Sequence, residues 1–151
     1  HGELWIKGPM VVPGYWNNPE KTAAEFHDGF WKSGDVGSRD ASGFIQLHDR
    51  RKDMIIRGGY NIYSAEVENA LTAHPAVIEC AAIGRPDPVL GEKMQVFVHS
   101  TDPTLDAETI KAFCATRLAD YKTPDFVTFS AEPLPRNANG KIVKKALRDM
   151  V

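Results

Sequence analysis

Residues 49–62 determine how this chain folds, and they read Asp49-Arg50-Arg51-Lys52-Asp53-Met54-Ile55-Ile56-Arg57-Gly58-Gly59-Tyr60-Asn61-Ile62. Apolar residues flank the pair Gly58-Gly59. Because glycine accepts the positive φ angles of a two-residue turn, this pattern predicts a tight β-hairpin. The charged run before the hairpin lies where the composition of the chain changes, which is typical of an exposed connection between two bodies. We therefore predict a domain boundary between residues 51 and 52.

The region before this boundary has a β-rich pattern. Short strand-like segments alternate with turns, at residues 3–7, 29–31 and 43–48. One helix is predicted at residues 20–26, where Asn18-Pro19 can begin it. Few of these positions can form a core, so we expect residues 1–51 to be the end of a larger N-terminal domain.

The region after the boundary has the pattern of a compact α+β unit. Helices are predicted after Ser64, which can cap the first of them, from Asp106, and after Lys141. Buried strands are predicted at three places, residues 77–83, 94–100 and 126–129, with a polar loop at 84–93. The predicted fold class is α+β, in which the tail of a β-rich N-terminal subdomain is followed by a compact C-terminal domain at residues 52–151. That domain has a small, mainly antiparallel sheet of about three strands plus a β-hairpin, flanked by helices.

The composition argues against several classes of partner. The chain has 151 residues, of which 42% are hydrophobic, and its formal net charge is −2, so nothing in its charge favours nucleic acid or an anionic membrane. No apolar run approaches the length of a membrane span, and the start has no signal-peptide pattern. Cys80 and Cys114 are predicted to be buried free thiols in a reducing, cytoplasmic compartment, although their positions leave a disulfide open.

Metal and nucleophile chemistry lack support in the sequence. The histidines at positions 27, 48, 74 and 99 have no metal-ligand spacing, and none pairs with a plausible Ser or Cys nucleophile. Gly140-Lys141 lacks the upstream glycine of a phosphate-binding loop. We predict no metal site and no hydrolase.

One lysine near the end of the chain stands in a suggestive setting, Pro135-Arg136-Asn137-Ala138-Asn139-Gly140-Lys141-Ile142-Val143. The asparagines and Gly140 favour a turn, and the apolar residues that follow predict a short helix. Lys141 would then lie on a loop anchored by that helix, where a point charge can neutralise phosphate or carboxylate oxygens. Taken alone, a solvated lysine on a surface turn is the commoner explanation.

Two further residues could bind a nucleotide. Asp35 lies between Gly34 and Gly37, so its carboxylate is accessible and can accept hydrogen bonds from the vicinal hydroxyls of a ribose. Its alternative role is to close an Asx-turn. Arg50 can make a forked contact to ribose or phosphate, and its alternative is a place in an ordinary charged loop.

Taken in order, these segments resemble the adenylate-forming superfamily of acyl-CoA synthetases, luciferases and peptide-synthetase adenylation domains. The resemblance covers nearly the whole chain and is closest to fatty-acid and other acyl-CoA ligases. The segments that carry it are Gly2 to Gly8, Gly14-Tyr15-Trp16 with Pro19 and Thr22, Ser33-Gly34-Asp35, Arg50 to Glu66, and Pro135 to Lys141 with Leu147-Arg148.

The resemblance implies a role for each matching residue. Asp35 would bind the ribose hydroxyls of ATP and acyl-AMP, with help from Arg50. Lys52 would be the hinge between a large N-terminal domain and a mobile C-terminal domain. Gly59, with Gly58 beside it, would let the pantetheine arm of CoA pass close to the backbone, and Lys141 would be the catalytic lysine of the adenylation step.

The implied enzyme is an AMP-forming acid–thiol ligase with ATP, Mg²⁺ bound to the ATP, and CoA. It would activate a carboxylic acid as acyl-AMP and then transfer the acyl group to the CoA thiol, alternating its domains about Lys52. The chain begins with His1, and the resemblance implies that the family's Ser/Thr/Gly-rich phosphate-binding loop would lie upstream of it. We therefore expect a piece of a longer protein that is inactive by itself.

Two other functions stay open at this point. The first is an adenylation domain that loads a carrier protein, against which the position of Glu66 after Asn61-Ile62-Tyr63, as in acyl-CoA synthetases, argues. The second is a binding or regulatory module without catalysis, against which the set Asp35, Arg50, Lys52 and Lys141 argues. The sequence does not decide which acid is activated, and it leaves a homo-oligomer open.

Overall fold

The computed structural model describes all residues from His1 to Val151, and they form two compact units, His1–Lys52 and Asp53–Val151. The first unit holds one antiparallel sheet and one helix. Its elements are β1 (Gly2–Ile6), α1 (Pro19–Glu25), β2 (Phe26–His27), β3 (Phe30–Arg39) and β4 (Ile45–Arg50). The long strand β3 pairs with each of the other three strands, so it organises the whole sheet.

The helix of the first unit was predicted to within a residue, but its central strand was not. Asn18 caps α1 by accepting a hydrogen bond from Lys21 N at 3.0 Å, and Pro19 occupies the first turn. The sequence predicts only a short strand at 29–31 in this region. The structure shows a single ten-residue strand there, because a bulge at Gly34 lets the strand continue through the glycine.

The second unit is built on a five-stranded sheet. Its strands are β5 (Ile55–Arg57), β6 (Tyr60–Ile62), β7 (Glu79–Asp87), β8 (Gly91–His99) and β9 (Phe126–Ser130). All pairs are antiparallel except β8 with β9. With its flanking helices, this arrangement confirms the predicted α+β class with a small, mainly antiparallel sheet.

The predicted hairpin is confirmed at Gly58-Gly59. Strands β5 and β6 pair on either side of it, and φ is 57° at Gly58 and 85° at Gly59, as a type I′ turn requires. Gly58 N also donates a hydrogen bond to Leu90 O at 2.8 Å. The hairpin turn is therefore tied to the turn between β7 and β8.

The predicted loop at residues 84–93 is wrong, because β7 and β8 continue through most of it. The two strands stay in register up to Asp87 opposite Gly91. Asp87 Oδ1 closes the turn by accepting from Val89 N and Leu90 N at 3.0 and 2.9 Å. Pro86 is tolerated because β7 is an edge strand, where one face of the backbone needs no partner.

Three helices cover the two faces of this sheet: α2 (Ser64–Leu71), α3 (Ala107–Ala115) and α4 (Lys144–Arg148). The larger core lies under α2 and α3, and the smaller one under α4, where Leu147 and Leu134 pack on β7 and β8. Asp106 caps α3 by accepting from Thr109 N at 2.8 Å. Ser64 is not the predicted cap: it is the first helical residue, and its buried hydroxyl accepts from Lys144 Nζ at 2.6 Å.

Cys80 and Cys114 are buried and unbonded to each other, which confirms the prediction of buried free thiols. Burial raises the pKa of Cys80 to about 12 and that of Cys114 to about 11. None of the helices combines the length and the apolar composition that a membrane span requires.

Candidate functional site

Asp35 and Arg50 meet as cross-strand neighbours on β3 and β4. Arg50 Nε lies 2.8 Å from Asp35 Oδ1, and Arg50 Nη1 donates to Ser33 O at 3.3 Å. The side chain of Asp35 is 32% exposed and that of Arg50 is 56% exposed, so both remain accessible from solvent. Asp35 Oδ2 accepts no hydrogen bond within the chain, which leaves an acceptor for a ligand hydroxyl.

A bulge in β3 presents Asp35. Between the pairs Glu3–Val36 and Trp5–Lys32, three residues of β3 lie opposite Leu4 alone. Gly34, in the middle of them, has φ of 74°, a conformation that favours glycine. Bulges of this kind re-aim a side chain relative to the regular strand. The carboxylate binds Arg50 and closes no Asx-turn, so the alternative role of Asp35 is not observed.

Two residues that the sequence analysis missed hold this bulge. The hydroxyl of Ser33 donates to Leu4 O at 2.8 Å and accepts from Asp35 N at 3.0 Å. Glu3 Oε1 accepts from Gly34 N at 3.1 Å, and its Oε2 lies 3.4 Å from Arg51 Nη1. Glu3 is 31 residues from Gly34 in sequence, so no local pattern indicates this contact.

A cavity of about 520 Å³ adjoins the bulge in the first unit. Ser33, Gly34 and Arg50 line it, whereas Asp35 does not. The lining of the cavity includes three aromatic side chains, five basic side chains and two carboxylates. The aromatic residues are Trp5, Tyr15 and Trp31, the basic residues are Lys21, Lys32, Arg50, Arg51 and Lys52, and the acidic residues are Glu3 and Glu25. An excess of positive charge beside aromatic surface suits an anionic ligand with a flat apolar part.

Lys52 is the last residue of the first unit, and Asp53 begins the second. Asp53 Oδ1 lies 2.9 Å from Arg148 Nη2, so the start of the second unit is fixed to helix α4. The Lys52–Asp53 peptide bond joins the two units.

Lys141 lies on a structured loop just before α4. Asn137 Oδ1 accepts from Asn139 N and from Lys141 N, both at 3.0 Å, and Gly140 N donates to Asn137 O at 2.9 Å. Lys141 is exposed, and its ammonium group makes no hydrogen bond or ion pair within the chain. The backbone is thus held while the charged group is available to a ligand.

Gly58 and Gly59 form an open turn on the second unit. A Cβ added at Gly59 would meet nothing within 4 Å, and one at Gly58 would come 3.5 Å from Leu90 Cδ2. The positive φ angles, and not lack of space, therefore account for glycine here. Beside the turn, Tyr60 stacks on Tyr121 with ring centroids 4.4 Å apart.

The structure brings together only some of the predicted residues. Asp35 and Arg50 are in contact within the first unit. Gly58, Gly59 and Lys141 belong to the second unit, where no hydrogen bond joins Lys141 to the glycine pair. No group of three or more His, Cys, Asp or Glu side chains lies close enough to hold a metal ion.

Comparison with known proteins places this architecture in a family. The family model described as AMP-binding enzyme C-terminal domain matches residues 66–141, half of the chain. The chain is 47% identical over 148 residues to a long-chain-fatty-acid–CoA ligase of Bacillus subtilis, covering 97% of the chain and 26% of the relative. It is 45% identical over 150 residues to a 2-succinylbenzoate–CoA ligase of Bacillus velezensis, covering 99% and 30%. The chain thus spans between about a quarter and a third of the relatives it matches.

Solved structures agree with these matches. O-succinylbenzoate CoA synthetase from Bacillus subtilis, in complex with its acyl-adenylate intermediate, superposes with a TM-score of 0.89 at 40% identity, covering 98% of this chain and 30% of that one. ATP-bound MatB from Rhodopseudomonas palustris gives a TM-score of 0.87 at 39% identity, covering 99% and 30%. Since the family model, the sequence matches and the fold all agree, the chain belongs to the AMP-binding enzyme C-terminal domain family.

Proposed function

We propose that this chain is the C-terminal part of an ATP-dependent acyl-CoA synthetase. The Asp35–Arg50 pair, held on a bulge with one carboxylate oxygen left to accept hydrogen bonds, is the observation that carries the proposal. The relatives named as CoA ligases or CoA synthases for different acids support it. The longer enzyme would form a thioester from a carboxylic acid, Mg-ATP and CoA.

In the first half-reaction, a carboxylate oxygen attacks the α-phosphorus of Mg-ATP and pyrophosphate leaves, which gives acyl-AMP. Asp35 would accept hydrogen bonds from the ribose hydroxyls, and Arg50 would keep that carboxylate in place. Lys141 would stabilise the negative charge that develops on the carboxylate and α-phosphate oxygens. Loss of one such charge contact typically lowers the rate about 10²–10³-fold.

In the second half-reaction, the CoA thiol sulfur attacks the acyl carbonyl, AMP leaves and the thiol proton passes to solvent. The two half-reactions need different groups beside the reacting acyl group. The first needs a lysine that stabilises negative charge, and the second needs the CoA thiol. We propose that the domain of residues 52–151 rotates about Lys52 between them. The open turn at Gly58 and Gly59 would then lie along the path of the pantetheine arm.

Residues 1–51 would belong to the large N-terminal domain of this enzyme. The small hydrophobic core of the first unit supports this assignment, because Val36 is the only buried hydrophobic residue in it. Large apolar side chains there are exposed instead, among them Met10 at 96%, Trp16 at 98% and Phe44 at 76%. A domain that folds by itself rarely leaves so much apolar surface uncovered.

The acid is not specified by this part of the enzyme. Identity over this region is 47% to a long-chain-fatty-acid–CoA ligase, 45% to a 2-succinylbenzoate–CoA ligase and 47% to a feruloyl-CoA synthase of Amycolatopsis. Relatives named for three different acids thus resemble it equally. We infer that the acid is selected upstream of residue 1.

The Asp35→Asn variant of the full-length enzyme tests the nucleotide role. Replacing the carboxylate by an amide weakens charge-assisted hydrogen bonds to ribose, so we expect the kcat/KM for ATP to fall about 10–100-fold. Asp28→Asn is the matched control, because Asp28 is an exposed aspartate of the same unit without a contact to Arg50. Equal ATP kinetics for the two variants would refute the assignment of Asp35.

A further inference from the structure

We infer that Arg136, held by Glu79, is a positioning residue that fixes the orientation of Lys141 for the adenylation step. The inference rests on the proposed function of Lys141 and adds two residues to it. Arg136 lies five residues before Lys141, on the incoming side of the loop, and Glu79 is the first residue of β7. We call Glu79, Arg136 and the Gly140 carbonyl the Arg136 bridge.

Glu79 provides a fixed end for this bridge. Its side chain is only 13% exposed, and Oε2 accepts a hydrogen bond from Arg136 Nη2. The other oxygen, Oε1, accepts from Leu134 N, and Leu134 itself is buried in the core under α4. Both oxygens are therefore engaged, and the carboxylate has little freedom to move.

Arg136 carries this constraint to the peptide bond that precedes Lys141. Its second terminal nitrogen, Nη1, donates to Gly140 O. The N–H of the same peptide group, Lys141 N, donates to Asn137 Oδ1 at 3.0 Å. The carbonyl and the amide before Lys141 are thus both held, so the Cα of Lys141 and the direction of its side chain are restrained.

The stem of the loop is anchored independently of Arg136. Val143 N donates to Pro135 O at 2.8 Å and Asn137 N to Lys141 O at 2.9 Å. Beyond the loop, Lys144 Nζ lies 2.7 Å from Glu68 Oε1, and Leu147 is buried. Loss of the Arg136 bridge should therefore loosen the tip of the loop and leave the domain folded.

An arginine suits this role better than a lysine. The planar guanidinium presents two terminal nitrogens in a fixed geometry, one to a carboxylate and one to a carbonyl. A lysine carries a single nitrogen on a flexible stem and cannot reproduce both directions at once. A misplacement of about 1 Å at a reacting group can cost 10²-fold in rate.

The test uses Arg136→Met and Arg136→Lys in the full-length enzyme. Arg136→Met keeps the apolar stem and removes both donors, so adenylation kcat, measured by pyrophosphate exchange, should fall about 10–100-fold. Thioester formation from supplied acyl-AMP and CoA should stay within about twofold of the unmodified enzyme, since Lys141 serves only the first step. The adenylation kcat of Arg136→Lys should lie between that of the unmodified enzyme and that of Arg136→Met. Arg117→Met is the matched control, because Arg117 stacks on Phe113 of α3, which covers the opposite face of the sheet.

A double-mutant cycle separates positioning from a structural effect. If Arg136 acts through Lys141, Arg136→Met should cause no further loss of adenylation in a Lys141→Ala background. A similar additional loss in that background would overturn the inference, and so would an equal loss in both half-reactions. If Lys141→Ala leaves adenylation unchanged, the proposed function of Lys141 is wrong. If Lys141→Ala impairs adenylation and Arg136→Met does not, only the positioning role of Arg136 is wrong.

Amide hydrogen exchange gives a readout that does not depend on activity. In the 151-residue chain, Arg136→Met should raise the exchange rate of Lys141 N–H at least several-fold over that of the unmodified chain. The amides of β7 and β8 should exchange as before. Unchanged protection at Lys141, or loss of protection throughout the sheet, would contradict a local restraint by Arg136.

Discussion

At the scale of single residues, the side chains proposed to act on ATP stand on backbone that other side chains hold by hydrogen bonds. Asp35 stands on a bulge that Ser33 and Glu3 stabilise, and Lys141 stands on a loop that Asn137 stabilises. The charged groups themselves remain accessible. Preorganised groups of this kind need little rearrangement when substrate binds, which is how fixed charges contribute most to catalysis.

The two thiols give a prediction at this scale. Because burial holds the protons of Cys80 and Cys114 more tightly in the folded protein than in the unfolded chain, both thiols are neutral at pH 8. We expect negligible reaction with dithiobis-nitrobenzoate at pH 8 until the protein is unfolded in denaturant. Rapid reaction of either thiol in the native protein would contradict the observed burial.

The same raised pKa values predict how stability depends on pH. The contribution of the thiols is fully present below the ordinary cysteine pKa of 9.0 and is lost as pH rises toward the folded values of about 11 and 12. Part of the fall in the free energy of unfolding above pH 9 should therefore disappear in a Cys80→Ala, Cys114→Ala variant. Denaturant titrations of the two proteins between pH 8 and 10.5 measure the difference.

At the scale of elements, the hairpin at Gly58-Gly59 is the clearest link between sequence and structure. Both residues have positive φ, and there is room for a side chain at each of them. Gly58→Val should therefore cost about 1–2 kcal/mol through backbone strain, because a β-branched residue disfavours this region. Gly58→Asn should cost at most a few tenths of a kcal/mol, since asparagine is favoured at the first position of a type I′ turn.

Urea denaturation of the 151-residue chain compares these two substitutions. They place a Cβ at the same position, 3.5 Å from Leu90 Cδ2, so a difference between them reports backbone conformation and not crowding. Equal losses of stability would show that contact with Leu90, and not positive φ, dominates.

An element is predictable from the sequence when the residues that form its caps and turns lie close together in the chain. Asn18 before α1, Asp106 before α3 and the glycine pair are recognised because their partners lie within four residues. Strands β7 and β8 are underestimated because their polar ends form a regular ladder at an edge, where Pro86 is tolerated. Glu3 and Glu79 are missed because they bind residues 31 and 57 positions away, and no periodic pattern marks such contacts.

At the scale of the whole molecule, the two units differ in how much core they contain. Nearly all the buried apolar side chains belong to Asp53–Val151, including both core clusters. We expect residues 53–151 to fold cooperatively by themselves, with amide NMR resonances close to those in the full chain. Residues 1–52 alone should show the narrow amide dispersion of an unfolded peptide. A well-dispersed spectrum from the isolated 1–52 peptide would contradict the proposal that it is part of a larger domain.

If Lys141 serves only one of the two half-reactions of an acyl-CoA synthetase, Lys141→Ala in the full-length enzyme should impair adenylation and spare thioester formation. Lys145→Ala is the matched control, because Lys145 is an exposed lysine of α4 that pairs with Asp149. The measurement is the ratio of the rate of pyrophosphate exchange to the rate of thioester formation from supplied acyl-AMP. We expect this ratio to fall about 10²–10³-fold in Lys141→Ala and to stay constant in Lys145→Ala. An unchanged ratio in Lys141→Ala, or an equal loss of both rates, would contradict it.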